Sequence, residues 1–280
     1  MKNSTWEEAV SWLIAQPDQQ EIVRDCYYDR PLTAAVDRYW HSLEWQAIQT
    51  FFPSQKGLAL DLGAGNGIAS YALAKDGWEV KALEPDPSDL VGCGAIRQLA
   101  QDTKLPIEVV QGVGENVPFK DGTFNVVFAR QALHHAQDLQ QLCREIARVL
   151  KPAGVFVAVR EHVISSGRDL PKFLDSHPLH KLYGGENAYL LKEYLGAIKL
   201  AGLYVEQIIG PFDSIINYAP LTEASLKDEL NKRFNRIPGG RIASLLLLSD
   251  HIFPQFLHLL SKIDQRPGRL FSFIGCKPED

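Results

Sequence analysis

The stretch Leu58–Gly67, "LALDLGAGNG", runs from apolar residues to an aspartate and then to glycines at positions 63, 65 and 67. Glycine after a strand permits a tight turn, lets a ligand approach the backbone with no Cβ in the way, and leaves helix N–H groups facing outward. Spacing separates the ligands such a turn could hold. A dinucleotide fingerprint requires Gly-x-Gly-x-x-Gly, and Ile68 stands where the third glycine would be. Asp61, immediately ahead of the glycines, would repel a pyrophosphate but suits a ligand carrying an ammonium or sulfonium charge. The next apolar run, "WEVKALE", ends on Glu84, 21 positions after Gly63, where an acid can accept from both hydroxyls of a ribose. A ribose and a cation are implied, and a diphosphate is not.

A second set of reactive residues follows. His134 and His135 come after the run "FNVVFA", and Arg160, Glu161 and His162 end "VFVAVRE" and its continuation. Each can be a cap, a packed ring or a solvated strand end, and each can equally face a substrate at the edge of a sheet. The segment "DSHPLHKLYGGENAY" holds His177, His180, Tyr183 and Glu186. A two-histidine, one-carboxylate set is conceivable there. Its spacing matches no zinc template, so no metal is expected and a lid carrying polar substrate contacts fits better. Near the N-terminus, Tyr27, Tyr28, Arg38, Tyr39 and Trp40 recur at helical spacing and read first as packing.

These residues must be positioned by a framework, and the rhythm of the chain supplies one. Residues 1–53 read as helical, in "WEEAVSWLI" and "TAAVDRYWHSLEWQAIQTFF". From Gly57 short apolar runs alternate with amphipathic helices: "LALDL", a helix near Ile68–Lys75, "WEVKALE", a helix near Leu90–Gln101, "IEVVQG", "FNVVFA", the helix "QDLQQLCREIARVL" and "VFVAVRE". That alternation predicts a parallel sheet with helices on both faces. A helix near Leu191–Ala201 leads to "LYVEQIIG", residues 211–268 read as two or three helices, and "LFSFIGCKP" closes the pattern as a last strand. The expectation is a single domain: a Rossmann-like, seven-stranded, mostly parallel α/β sheet over 54–210 and 269–280. It has a helical cap at 1–53 and a helical insertion at 211–268. The apolar face Leu245, Leu248, Ile252 and Phe256 in that insertion is expected to be buried by intramolecular packing.

An acid-x-Gly-x-Gly-x-Gly turn followed by Glu at the end of the second strand resembles the class I S-adenosylmethionine-dependent methyltransferases. The resemblance extends through "VQGVGENVPFKDGTFNVVFARQALHHAQDLQQLCREIARVLKPAGVFVAV", which is similar to the small-molecule (methyltransferase type 11-like) branch. It implies S-adenosylmethionine as cofactor, with Asp61, Gly63, Ala64 and Gly65 around the methionine moiety. Glu84 and Pro85 would lie at the ribose, Val113, Gly114 and Glu115 at the adenine, and Arg130 would border the methionine or the substrate. Arg130 and Gln131 depart from the small polar residues usual in that family. The helical cap usual there would bring Tyr28 or Arg38 over the methionine carboxylate. His135 falls where the family carries its histidine, and with His134 and His162 it is a candidate catalytic base for an oxygen acceptor.

The implied reaction is methyl transfer to a small-molecule or lipid- or saccharide-linked acceptor, releasing S-adenosylhomocysteine. Because the sulfonium is already activated, positioning alone can supply effective molarities on the order of 10⁵ to 10⁸ M. Two alternatives share the glycine turn: a non-catalytic S-adenosylmethionine-binding module and an NAD-dependent dehydrogenase. The net charge of -5 disfavours nucleic acid as a partner, as does the absence of an Asn/Asp-Pro-Pro-Tyr/Phe tetrapeptide after strand four. Cys26, Cys93, Cys143 and Cys276 stand too far apart for a zinc or disulfide framework. The start of the chain lacks a signal-peptide pattern, and Ile242–Ile263 is interrupted by Asp250, His251 and Pro254. A cytoplasmic monomer or homodimer with no membrane span is expected.

Overall fold

The computed structural model describes residues 4–177, 179–236 and 238–279. Helix α1 (Trp6–Ile14) opens on a reciprocal cap: the Thr5 hydroxyl accepts from the Glu8 N–H (3.2 Å), and the Glu8 carboxylate accepts from the Thr5 N–H (2.8 Å). Helices α2 (Gln20–Asp25), α3 (Leu32–Trp40) and α4 (Leu43–Gln49) follow. The run from Thr33 to Phe52 thus forms two helices where its periodicity suggests one. Ser42 divides them by turning its hydroxyl to the Trp45 N–H (3.1 Å) and capping the second.

Strands β1 (Leu58–Leu62), β2 (Glu79–Glu84), β3 (Ile107–Gln111) and β4 (Phe124–Arg130) alternate with helices α5 (Ile68–Lys75) and α6 (Cys93–Thr103). Helix α7 (Leu139–Val149) runs directly into the long β5 (Leu150–Ile164). Short helices α8 (Leu170–Ser176) and α9 (His180–Tyr183) lead to a two-residue β6 (Tyr189–Leu190), then α10 (Leu191–Leu200) and β7 (Tyr204–Ile209). Helices α11 (Ile215–Tyr218), α12 (Glu223–Phe234), α13 (Gly240–Leu247) and α14 (Phe253–Ile263) precede β8 (Arg269–Cys276).

The sheet order is β3-β2-β1-β4-β5-β8-β7, with β6 paired to the far end of β5. Strands β1 to β5 pair in parallel, and β8 lies antiparallel to both β5 and β7. Seven strands match the expectation from the sequence, and β6 adds a short eighth. The order reverses between β1 and β4, which places a crevice above the carboxyl ends of β1, β2, β4 and β5.

Helices α3, α4 and α5 cover one face of the sheet, through Val36, Tyr39, Trp45, Ile48, Ala72 and Leu73; α7 and α10 cover the other, through Leu142, Ile146, Tyr194 and Ile198. Asp76, just past α5, fastens the cap to the sheet layer. Its carboxylate accepts from the Trp40 indole (2.8 Å), the Trp45 indole (2.9 Å) and the Gln49 amide (2.6 Å).

Among its described residues the segment 211–268 holds four helices, where its sequence pattern suggested two or three. Its apolar face also departs from expectation. Phe253, Leu257 and Leu226 form a small cluster against which Leu248 and Phe256 pack, whereas Leu245 stays 78% exposed and Ile252 41%. The connection through Ser249 and Asp250 turns the chain between α13 and α14, so the four positions do not share one buried stripe.

Candidate active site

A cavity of about 820 Å³ opens above the carboxyl ends of β1, β2, β4 and β5, with Trp6, Cys26 and Tyr28 of the N-terminal region roofing it. The turn after β1 forms its floor. Gly63, Gly65 and Gly67 have φ of +70°, +56° and +89°, a region that disfavours side chains. A Cβ on Gly63 would meet that of Ala132 at 2.8 Å, whereas one on Gly65 would have no protein atom within 4 Å and would project into open space.

Asp61 and Glu84 stand near the carboxyl ends of β1 and β2. The Ser70 hydroxyl donates to Asp61 (2.5 Å), and burial pushes the Asp61 carboxyl up to about 6. Glu84 accepts from the Gly65 N–H (2.7 Å) and the Asp86 N–H (2.9 Å), and burial lifts it to about 7. Pro85, Val113, Gly114 and Glu115 continue this wall, and Glu115 accepts from the Gln137 N–H (2.8 Å).

The opposite end is built by irregular backbone. Gln131, just past β4, and Arg160, within β5, have φ of +53° and +62°. Around Arg160 the pairing of β5 with β8 slips by one residue, a bulge. The bulge turns Glu161 beneath the loop after β4. There its fully buried carboxylate accepts from the N–H groups of Ala132 (3.0 Å), Leu133 (3.1 Å) and His134 (3.0 Å), and pairs with His134 Nδ1 (2.7 Å). Glu161, which the sequence left between a solvated strand end and a substrate contact, is the anchor of this loop.

His134 lies between two acids, with Nδ1 on Glu161 and Nε2 3.6 Å from Glu186. Burial lowers its pKa, but the two carboxylates more than offset that and raise it to about 9. At neutral pH His134 therefore holds its proton and cannot serve as a base, which corrects the catalytic role its position suggested. His162 shows the opposite balance: burial and the neighbouring His134 push it down to about 3. Its Nδ1 donates to the Gly268 carbonyl (2.8 Å), leaving Nε2 unprotonated. His135 donates Nδ1–H to the Gly185 carbonyl (3.0 Å), and the enclosing walls and His134 lower its pKa. Its ring is exposed to the cavity, with Nε2 available to accept a proton.

The two arginines fall differently. Arg130 borders the cavity, but its guanidinium pairs with buried Glu44 (2.8 Å) and lies over the rings of Tyr27 and Tyr39. Arg38 is not among the lining residues; Asp29 holds it in a two-pronged pair (2.6 and 2.8 Å) beside the Arg24 carbonyl. A carboxylate claims each side chain: Asp29, close in sequence, holds Arg38, and Glu44, far away in sequence, holds Arg130. Tyr28 does line the cavity, packed edge-on to Trp6. Trp6, Cys26 and Asp86 also line it and were missed by the sequence reading, because neither apolar periodicity nor loop position distinguishes a helix residue that faces a cleft from one that faces a core. His177, Tyr183 and Glu186 reach the same cavity from the segment after β5, whereas His180 does not line it.

Fold and cleft together define an α/β protein whose cavity lies over a glycine turn, with an acid at the end of the second strand. Residues 60–158 match the family described as the methyltransferase domain, to which this core is similar. An uncharacterized methyltransferase of Synechocystis is 38% identical over 112 residues, 39% of this chain and 49% of the relative. The dimethylglycine N-methyltransferase of Parasynechococcus marenigrum is 34% identical over 131 residues, 46% of this chain and 45% of that one. The chain thus spans about half or less of the length of these curated relatives. The crystal structure of YcgJ from Bacillus subtilis superposes with a TM-score of 0.54 at 21% identity, over 86% of this chain and all of that one, a likeness of fold.

Proposed function

We propose that the protein binds S-adenosylmethionine over the glycine turn and transfers its methyl group to a small-molecule acceptor that enters from the histidine side of the cleft. One observation carries the reading: the Gly63–Gly67 turn, Asp61 and Glu84 converge on a single cavity, whose far wall is polar and histidine-lined. Its volume suits a nucleoside-sized ligand plus a small acceptor. Asp61 would face the cationic end of the cofactor, Glu84 its ribose, and Val113, Gly114 and Glu115 its adenine. Tyr28 would close over the methionine end.

Transfer needs a nucleophile in line with the methyl–sulfur bond, which positioning supplies. For a hydroxyl acceptor His135 would take the proton, through the Nε2 that its bond to Gly185 leaves unprotonated, for a gain of about 10² to 10⁴. An amine that arrives neutral, as dimethylglycine would for the relative named above, requires no base. A dehydrogenase is disfavoured by Ile68 in the third glycine's place and by Asp61.

The test is calorimetric titration with S-adenosylhomocysteine, with NAD as control. Micromolar binding of the first alone supports the reading, and methyl transfer to a screened acceptor separates an enzyme from a binding module. Binding of NAD alone, or of neither ligand to protein freed of co-purified nucleoside, would overturn it.

A further inference from the structure

The histidine end of the cleft holds more than one base requires. One ligating atom each of His134, His162 and Glu186 lies within 4.8 Å of the others. Each of the three is fixed from behind by a hydrogen-bonding partner. His134 holds Glu161 through Nδ1 (2.7 Å), His162 donates Nδ1–H to the Gly268 carbonyl (2.8 Å), and Glu186 Oε1 accepts from the Tyr183 hydroxyl (2.6 Å). His134 Nε2, His162 Nε2 and Glu186 Oε2 remain, and a metal ion would take the place of the proton between His134 Nε2 and Glu186. Carboxylate or carbonyl behind the imidazole and a hydrogen bond on the ligating carboxylate are the supports that metal ligands characteristically carry. His177 Nδ1 is buried, has no hydrogen-bond partner among the described residues, and lies 3.8 Å from Glu186 Oε1.

We propose that His134, His162 and Glu186 bind a divalent transition-metal ion of the zinc type at the acceptor end of the cleft, with His177 beside Glu186. Two or three imidazoles and one carboxylate suit zinc and its first-row neighbours rather than calcium or magnesium, which take oxygen. Tetrahedral zinc with bonds of about 2.1 Å spaces its ligands by about 3.4 Å. The 3.6 Å between His134 Nε2 and Glu186 Oε2 is close to that spacing, and His162 offers its nitrogen within 4.8 Å of both. Glu161 and Glu186 face no lysine or arginine among the described residues, so a dication would compensate their buried charge. No sequence template signals this set, because its ligands come from three separate segments: the loop after β4, the end of β5 and the segment before β6.

The role of the ion rests on the methyl-transfer reading; its binding does not. An acceptor hydroxyl on the ion would have a lowered pKa. The O–H bond breaks and its proton passes to His135 Nε2. The oxygen then forms the new bond to the methyl carbon as the carbon–sulfur bond breaks, and that electron pair stays on sulfur as a neutral thioether.

The experiment is titration of tag-free, chelator-treated full-length protein with Zn²⁺, alongside Co²⁺ absorption, in wild type, His162→Gln and Glu186→Gln, with S-adenosylhomocysteine binding measured on each sample. One zinc per chain at Kd on the order of 1 µM or tighter is expected. A loss of about 100-fold in each variant with S-adenosylhomocysteine affinity retained is also expected. Glu161→Gln, a positioning change, should weaken zinc by about 10-fold or more. Absence of saturable zinc binding, or wild-type zinc affinity in both variants, overturns the site. Should the variants fail to fold, X-ray absorption at the zinc edge of the wild-type protein decides: imidazole scatterers support the site, and an oxygen-only shell overturns it. Zinc binding without S-adenosylhomocysteine binding would leave the site standing and remove the cofactor reading; the converse removes the metal alone.

Discussion

Two residues carry most of the cofactor reading, and they act by different physics. Gly65 provides space: its φ of +56° disfavours any side chain, and a Cβ there would point into the cleft. Gly65→Val should therefore abolish S-adenosylhomocysteine binding while leaving the fold intact by circular dichroism; unchanged affinity would remove the ligand from this turn. Glu84 provides hydrogen bonds, and Glu84→Ala should weaken binding by about 1 to 3 kcal/mol. An equal loss for an analogue lacking both ribose hydroxyls would show that the ribose is not its partner. Burial holds the free carboxyl at about 7 against an ordinary 4.5. Ribose hydroxyls donate to the ionised form, so binding expels the proton, and affinity should rise with pH up to about 7 and level off above it. For stability the sign reverses. Between 4.5 and about 7 the folded protein without ligand keeps a proton that the unfolded chain has lost, so this group's contribution to stability falls as pH rises through that window. Titrations in buffers of different ionisation enthalpy should detect proton release near pH 6 and none near pH 8.5, and Glu84→Gln should reduce that release to the share of Asp61, which burial holds at about 6.

At the scale of elements, the strands and crossover helices of the sheet could be read from the sequence because each carries its own period and its own stop. Helix α5 matches its expected span Ile68–Lys75, and β3, β4 and β7 lie where the apolar runs put them. Features set by a single side chain or one inserted residue could not be read. The break between α3 and α4 depends on one serine hydroxyl, and the β5 bulge that buries Glu161 shows in no periodicity. The docking of the cap depends similarly on Asp76, which holds two indoles and an amide from α3 and α4. Asp76→Ala leaves the fully buried Trp45 indole without its acceptor, and should cost about 2 kcal/mol or more, since an orphaned buried donor forfeits its full desolvation energy. Urea unfolding would measure this as a lower midpoint at unchanged slope. An unchanged midpoint would mean that apolar burial alone seats these helices.

For the molecule as a whole, the cleft is a seam between three parts of the chain: the sheet, the N-terminal cap and the segment after β5. The glycine floor could be read from sequence because its spacing is local. The histidine wall could be read only as scattered candidates, because the fold alone brings together positions as distant as 134, 162 and 186. Cap and post-β5 segment meet above the cavity. Trp6 packs edge-on to Tyr183 at 4.6 Å, and Ala9, Leu13 and Val23 bury Leu179. Across that contact the Tyr183 hydroxyl holds Glu186. A ligand filling the space beneath both parts would order them together, because each touches the cavity and each packs on the other. Hydrogen exchange should therefore slow at 6–28 and at 179–186 in concert when S-adenosylhomocysteine is added. Trp6→Ala should uncouple the two, leaving protection at the glycine turn but reducing it at 179–186, and should speed ligand dissociation. Protection confined to the Gly63–Gly67 turn in the wild-type protein would mean that the cap and the post-β5 segment sit beside the site without enclosing it.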